Sequence, residues 1–382
     1  MLLAREVLIT SVLFSLSKEL SPVSLIGLLL DKRQRIPYYA TLSRKYGFRM
    51  MVFGAEDIQW ETGKVQGLLL TRGQWYERTL RLPDAVYNRC YPENTPVIQR
   101  LEVHGRQIFN STTLFDKWDV YEILQDSEIL RPFLPATYKL VFDDLLDLLE
   151  QGTWVIKPRK GQSGRGVYRL ELQGDFVFVT GDLNFPLPIP TKAAAASAAV
   201  LTNSEPYIVQ AYVPGFTSKE GLFDVRLVVQ KDKRRKWAIT GEISRVAATS
   251  GFITNQYKAL IHPREILRTL GDRAAAVYED MRRAALLSAE VLDGPLGHLG
   301  ELCADFIVDE DGQLWLIEVN GKPDKSLFFE FDDEDMLERV YLTPLMYART
   351  LALERLILKG SRRPIREYMP KPTSKEDHRG TH

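Results

Sequence analysis

Residues 300–323 read GELCADFIVDEDGQLWLIEVNGKP. Asp309-Glu310-Asp311-Gly312 is a strong turn sequence between two apolar runs, so the segment is expected to fold as a β-hairpin. With those four residues as the loop, Val308 would face Gln313 and Asp305 would lie opposite Leu316. The two-residue period of a strand then puts Asp305 on the same face as Glu318 and Asn320. A one-residue slip in the loop would move Asp305 to the other face. Both strands are otherwise apolar (Phe306, Ile307, Val308, Leu314, Trp315, Leu316, Ile317). Carboxylates gathered on such a surface are costly unless a cation compensates them. Two carboxylates and an amide oxygen form a hard-oxygen set suited to Mg²⁺ bridging phosphate groups. The alternative is a surface hairpin with incidental acids.

A second segment, Thr153–Leu170, reads TWVIKPRKGQSGRGVYRL. A β-rich run carries Lys157 to its end, Pro158 stops pairing, and Gly161-Gln162-Ser163-Gly164-Arg165-Gly166 makes a glycine-rich turn before a strand resumes at Val167. Glycines let successive backbone N–H groups approach an anion, and Lys157, Lys160 and Arg165 add positive charge. No GK[ST] follows, which excludes a P-loop. A G-x-x-G-x-G spacing before a strand is not the dinucleotide fingerprint. The lysine precedes the glycines, and HRD and DFG motifs are absent, which excludes a protein kinase. A charged hairpin with a flexible tip is the alternative to a phosphate cradle.

The surrounding chain is ordinary globular sequence. Its 382 residues hold 50 Lys+Arg against 50 Asp+Glu, 45% hydrophobic and 26% charged residues, enough for two or three packed units. A zero formal charge argues against a dedicated nucleic-acid partner. Two cysteines, Cys90 and Cys303, exclude a disulfide framework and fit reducing, cytoplasmic surroundings. The apolar run Val7–Leu16 imitates a secretion signal but ends at Lys18-Glu19, so a buried strand pair is the preferred reading. It falls short of the ~20 residues of a membrane span.

The first hundred residues alternate strands (Leu25–Leu30, Arg49–Phe53, Gly67–Thr71, and one ending Asp84–Arg89) with a helix over Tyr38–Tyr46, an α/β texture. Asp84–Arg89 either delivers polar side chains to a ligand at a strand end or runs into a loop that Asn88 merely turns. Helices are expected at Leu114–Leu124, Asp143–Glu150, Lys192–Leu201, Asp272–Leu292 and Leu337–Lys359. Strands are expected at Thr153–Lys157, Val167–Leu172, Phe176–Thr180, Tyr207–Val213, Val225–Val229 and Trp237–Thr240. Lys231–Lys236 reads as a solvated hairpin tip, and Asp332–Asp335 as a solvated helix start.

A lysine-ended strand, a glycine-rich hairpin loop and a distal D…E-x-N hairpin together resemble an ATP-grasp enzyme. More narrowly, the chain resembles the endospore coat-associated ATP-grasp proteins of the YheC/YheD type. The supporting segments are PDAVYNR (Pro83–Arg89), LFDKWDVYEIL (Leu114–Leu124), LPAT (Leu134–Thr137), IVQAYV (Ile208–Val213), FDVRLVVQ (Phe223–Gln230) and RVAATSGFITN (Arg245–Asn255). The resemblance implies an α/β (α+β) ATP-grasp fold divided into an amino-terminal pre-ATP-grasp domain (1–110), a central subdomain with the glycine-rich flap (111–206), a carboxy-terminal subdomain with the metal site (207–359) and a flexible tail (360–382).

It also implies roles. Lys157 would contact ATP phosphates, with Lys160 and Gly161, Ser163, Gly164, Arg165 and Gly166 closing over them. Gln210, Ala211, Tyr212 and Val213 would form the hinge, its backbone and the Gln210 side chain meeting adenine. Asp305, Glu318 and Asn320 would hold one or two Mg²⁺. Arg226 and Arg245 would face the transferring phosphate and the acceptor carboxylate, and Asn255 would close the acceptor side. Lys117 is a further nucleotide-site candidate. After Asn255 the chain departs from the family pattern, with Gln256-Tyr257-Lys258-Ala259 where glycines are usual, and Cys303 stands where a small residue is expected. The implied activity is ATP- and Mg-dependent ligation of a small-molecule or peptide carboxylate to an amine or related nucleophile, spore-associated, without nucleic-acid partner or membrane span. A catalytically idle nucleotide-binding protein of the spore coat and a phosphotransferase are the alternatives.

Overall fold

The computed structural model describes residues 24–161, 164–181, 186–248 and 256–360. The apolar run Val7–Leu16, Ser163, Asn255 and the tail beyond residue 360 lie outside them.

Three mixed or antiparallel sheets follow one another along the chain. The first has the order Ile58–Gln59, Lys64–Thr71, Arg49–Phe53, Leu25–Leu29, Ala85–Asn88, Gln107–Phe109, with Gln74–Arg81 paired to Lys64–Thr71. Its four central and distal strands are parallel and the rest antiparallel. The helix Pro37–Tyr46 ends where Gly47 turns left-handed at φ 67°, a backbone that glycine adopts without Cβ penalty.

The second sheet is a six-stranded antiparallel one in the order Pro186–Pro190, Phe176–Thr180, Tyr168–Gln173, Trp154–Pro158, Tyr207–Ala211, Thr137–Lys139. Leu145–Gln151 and Ala194–Leu201 cover one face, burying Leu145, Leu149, Ala194 and Ala198 against Ile156, Leu170 and Val209. Its two edge strands are absent from the sequence expectations. Thr137–Lys139 is only three residues long, and Pro186, Pro188 and Pro190 read as loop. Proline cannot donate to a ladder and is tolerated only at such an edge.

The third sheet runs Tyr257–Ile261, Trp237–Ala247, Gly221–Lys231, Glu301–Val308, Leu314–Asn320. The long helix Ala274–Leu292 packs Val277, Met281, Ala284 and Ala285 on one face through its expected 3.6-residue stripe. The last helix, Glu334–Gly360, buries Val340, Leu345 and Ala348 between the other face and the first sheet. The acidic run before it opens that helix with Glu334 and Asp335 in the first turn. The basic tip at 231–236 is a hairpin turn as expected, although Lys231 turns inward to Asp293 at 2.6 Å. Among the described residues, no helix is long and apolar enough to cross a membrane.

Polar contacts lock the first sheet to the third. Asn110, left-handed at φ 55°, accepts through Oδ1 the backbone N–H groups of Gly300 and Glu301 at 2.8 and 3.0 Å. Glu301 is fully buried, and its carboxylate meets Tyr87, Arg89, Gln230 and Lys325. Burial pushes that carboxyl up, but Lys325 and Arg89 outweigh it and hold it below the usual range. Asn88 is also buried: it donates to the Asn110 carbonyl at 2.8 Å and accepts from the Cys90 N–H at 3.1 Å. Of the two readings for Asp84–Arg89, Asn88 therefore follows the structural one, while Tyr87 and Arg89 bond Glu301 and Arg89 also donates to the Pro323 carbonyl.

Replacing Glu301 by alanine would strand Arg89 and Lys325 as buried, uncompensated cations, so the expected loss is about 3–5 kcal/mol. Urea unfolding should show it as a lowered midpoint at unchanged slope. A loss below about 1 kcal/mol would show that this network does not join the two units.

Candidate functional site

The second and third sheets face each other across an open cleft. One wall comes from the second sheet: Val155 and Lys157, then Gly161, Gly164 and Arg165 of the glycine-rich turn. The other comes from the third: Asp224, Arg245, Asp305, Ile307, Ile317 and Glu318. Gln210, Ala211, Tyr212 and Val213 connect the walls, and Lys117 enters from the helix Lys117–Gln125. Twelve of the residues singled out in the sequence thus line one cavity. Lys160 is exposed and outside it, and Gly166 is also outside the lining.

The hairpin reaches this arrangement by a different register from the expected one. Val308 pairs with Leu314, not Gln313, and Asp305 pairs with Glu318, not Leu316. Asp309 explains the shift. Its carboxylate accepts the Gln313 N–H at 2.8 Å and the Trp315 indole N–H at 2.7 Å, and its own backbone N–H donates to the Gln313 carbonyl at 3.0 Å, which sets Gln313 opposite Asp309 rather than Val308. That slip alone would turn Asp305 away from Glu318. A bulge compensates: Phe306 pairs with Leu316 and Asp305 with Glu318, so Ile317 is the extra residue. Two successive side chains, Ile317 and Glu318, consequently face the cleft, while Leu316 and Val319 return to the core. Asn320 lies further along, opposite Cys303 and outside the cleft lining.

Behind the carboxylates lies a paired set of charges. Arg226 sits directly across from Asp305 and donates to both of its oxygens at 2.8 and 2.7 Å. Arg245 sits across from Asp224, pairs with it, and reaches Asp305 at 3.4 Å. Burial would push the Asp305 carboxyl up, yet the two guanidinium groups hold it below the usual carboxylate range. Arg245 lines the cleft, whereas Arg226 lies beneath Asp305. Asp224 was not singled out in the sequence, although the alternation Phe223-Asp224-Val225-Arg226 puts it on the face of Arg226. Val155, Ile307 and Ile317 were likewise unmarked, because apolar strand residues look alike whether they face core or cleft.

Lys117 bridges the walls: its Nζ donates to the Gly161 carbonyl at 3.0 Å and approaches Glu318 at 3.2 Å. Arg159, paired with Asp116 at 2.8 Å, anchors that helix start to the glycine-rich turn. Lys157 donates to the Gln210 side chain at 2.7 Å, and burial pushes its ammonium down to about 8, with Lys117 acting in the same direction. Gln256-Tyr257-Lys258-Ala259 leads into an edge strand, Tyr257–Ile261, paired to Trp237–Ala247, which glycines would weaken.

This architecture is shared with solved structures. The N5-carboxyaminoimidazole synthetase of Staphylococcus aureus matches 86% of this chain and 78% of its own at 13% identity, with a TM-score of 0.52. The D-cycloserine synthetase DcsG matches 86% and 99% at 16% identity, with a TM-score of 0.50. The fold is therefore the α/β ATP-grasp fold. Within that class, the chain belongs to the YheC/D-like ATP-grasp family, whose model matches residues 105–351. Its relatives include two endospore coat-associated proteins of Bacillus subtilis (strain 168). YheD is 28% identical over 315 residues, covering 75% of this chain and 67% of the relative. YheC is 23% identical over 345 residues, covering 85% and 95%.

The glycine-rich turn offers a direct check. Gly166 has φ 71°, and a Cβ there would lie 2.6 Å from the Tyr207 hydroxyl. Gly166→Ala should cost about 1–2 kcal/mol from the left-handed backbone alone. Thermal unfolding should show a lowered midpoint that Tyr207→Phe restores only in part. An unchanged midpoint would mean that the turn is not held against Tyr207.

Proposed function

We propose that this chain is an ATP- and Mg-dependent ligase joining a carboxylate to an amine or related nucleophile. One observation carries the reading: Lys157 and the glycine-rich turn face the Asp305–Glu318 pair across a single cleft. The naming of the relatives as endospore coat-associated supports a spore-associated setting for it.

In this reading the apolar hinge side of the cleft, Val155, Val213 and Ile317, takes the adenine. Lys157, Lys117, Arg165 and the N–H groups of the glycine-rich turn take the phosphates, where aligned donors and fixed cations suit an anion. Asp305 and Glu318 would hold Mg²⁺ in the cleft, and Asn320, outside its lining, is assigned to the ion through the family resemblance alone. The donor set is all oxygen, and both carboxylates already draw cationic side chains to themselves, so the residues fit a hard divalent ion. When bound, that ion supplies charge neutralisation between phosphate oxygens.

The acceptor carboxylate would attack the γ-phosphorus of ATP, breaking the bond to the β–γ bridging oxygen and releasing ADP. The nucleophile would then attack the acyl carbon of the acyl phosphate and expel inorganic phosphate. Arg245, facing the cleft, is placed to meet the charge on the transferring phosphoryl and the acceptor, and Asp224 orients its guanidinium. Arg226 fixes Asp305 from below. Asn255 is assigned the acceptor side through the family resemblance. Catalysis is then mainly positioning and charge stabilisation.

Glu318→Gln should lower Mg-dependent ATP consumption by at least about 100-fold. Its side chain is only partly buried, so unfolding should shift by no more than about 0.5 kcal/mol. Phosphate release against panels of acids and amines checks this, and unchanged consumption would exclude the assigned metal role.

A second expectation concerns pH. Burial pushes the Lys157 ammonium down to about 8, whereas bound phosphates would favour its charged form. Nucleotide binding should therefore take up a proton above about pH 8, and affinity should fall as pH rises, by at most about tenfold per unit. Calorimetric titrations with Mg·ATP in buffers of different ionisation enthalpy measure the uptake directly. A flat profile would mean that Lys157 does not contact phosphate.

A further inference from the structure

Gln210 occupies the hinge position whose side chain the family resemblance assigns to adenine, yet its hydrogen bonds point elsewhere. Lys157 Nζ donates to Gln210 Oε1 at 2.7 Å, and Gln210 Nε2 donates to Thr137 Oγ1 at 3.1 Å. Thr137 Oγ1 donates in turn to the Pro135 carbonyl at 2.8 Å. A hydroxyl has one proton, so once Thr137 gives it to Pro135 it can only accept from the amide. The amide orientation follows, because the reverse one would set an NH₂ group against the Lys157 ammonium.

The strand registers build this chain of contacts. Gln210 lies opposite Thr137 on one side and Val155 on the other, and Lys157 is the diagonal neighbour, opposite Ile208. Gln210 and Thr137 are both buried. The contact partner of Lys157 is therefore neutral. Glu318 and Asp305 act on it only from farther away, and the close contact of Glu318 is given to Lys117. A carboxylate at position 210 would form a buried ion pair with Lys157 and cancel the charge that a phosphate needs.

Resting on the nucleotide reading above, we propose that Gln210 is a positioning residue: its side chain aims the Lys157 ammonium into the cleft without neutralising it, and does not read the base. Base recognition is left to the rest of the hinge.

The test uses the full chain and two probes, Mg·ATP and Mg·ITP, which differ at position 6 of the purine. Gln210→Glu, nearly isosteric, should weaken both nucleotides by the same factor, about tenfold or more, as expected for a contact to a charged group. The ATP-over-ITP preference should stay within about twofold of the parent. In a Lys157→Met background, where no ammonium remains to be neutralised, Gln210→Glu should have a clearly smaller effect. Gln210→Met, compared in the same two backgrounds, gives the coupling independently should the glutamate variant fail to fold.

Loss of the ATP-over-ITP preference in the Gln210 variants would overturn the inference and return the side chain to the base. An equal effect of Gln210→Glu with and without Lys157 would overturn it too. Should the parent bind neither nucleotide, the nucleotide reading falls and this inference falls with it.

Discussion

The bidentate pair between Arg226 and Asp305 is the constraint on which the cleft depends. It joins two neighbouring strands of the third sheet, aims a buried carboxylate at the cavity, and places Arg245 and Asp224 beside it. Such pairs add little net stability, because the desolvation of both ions consumes most of the Coulombic gain. Hydrophobic residues of similar size would hold these strands together as well. Buried charge of this kind is therefore better explained by what it presents to the cleft than by what it contributes to folding.

Fixed charge on one wall faces the glycine-rich turn on the other. The glycine-rich turn is tied at Gly161 by Lys117 and stands close to Tyr207 at Gly166, where a Cβ would not fit. Lys117 also approaches Glu318, so one ammonium spans both walls. The first sheet takes part indirectly. Arg89 donates to the Pro323 carbonyl just after the acidic hairpin, and Lys325 completes the Glu301 network, so the end of the metal-proposed strand is anchored in another layer of the molecule.

Most of the strands and helices were legible because their signals are local. The Lys157 strand, the stripe on Ala274–Leu292 and the helix over Tyr38–Tyr46 each follow from a few adjacent residues. The short edge strands were not, since a three-residue strand has no periodicity and a proline-alternating one looks like loop. The site was legible as a set of residue types: a lysine at a strand end, glycines after it, and acids on a distal hairpin. Its pairing was less so. The expected hairpin register placed Asp305 opposite Leu316, and the correct face was reached only because a slip in the loop and a bulge at Ile317 cancel.

What the chain's own order of residues settled is where most strands and helices lie and which residue types each carries, because backbone sterics and side-chain alternation act over a few positions. Tertiary structure decided the partners. Arg226 and Asp305 are 79 residues apart, and Tyr87 and Glu301 are 214 apart. Whether Gln210 faces a ligand or Lys157 depends on strands from three separate segments meeting in one register. Those choices are made by competition among hydrogen-bond partners in a desolvated space, and that space exists only once the sheets have packed.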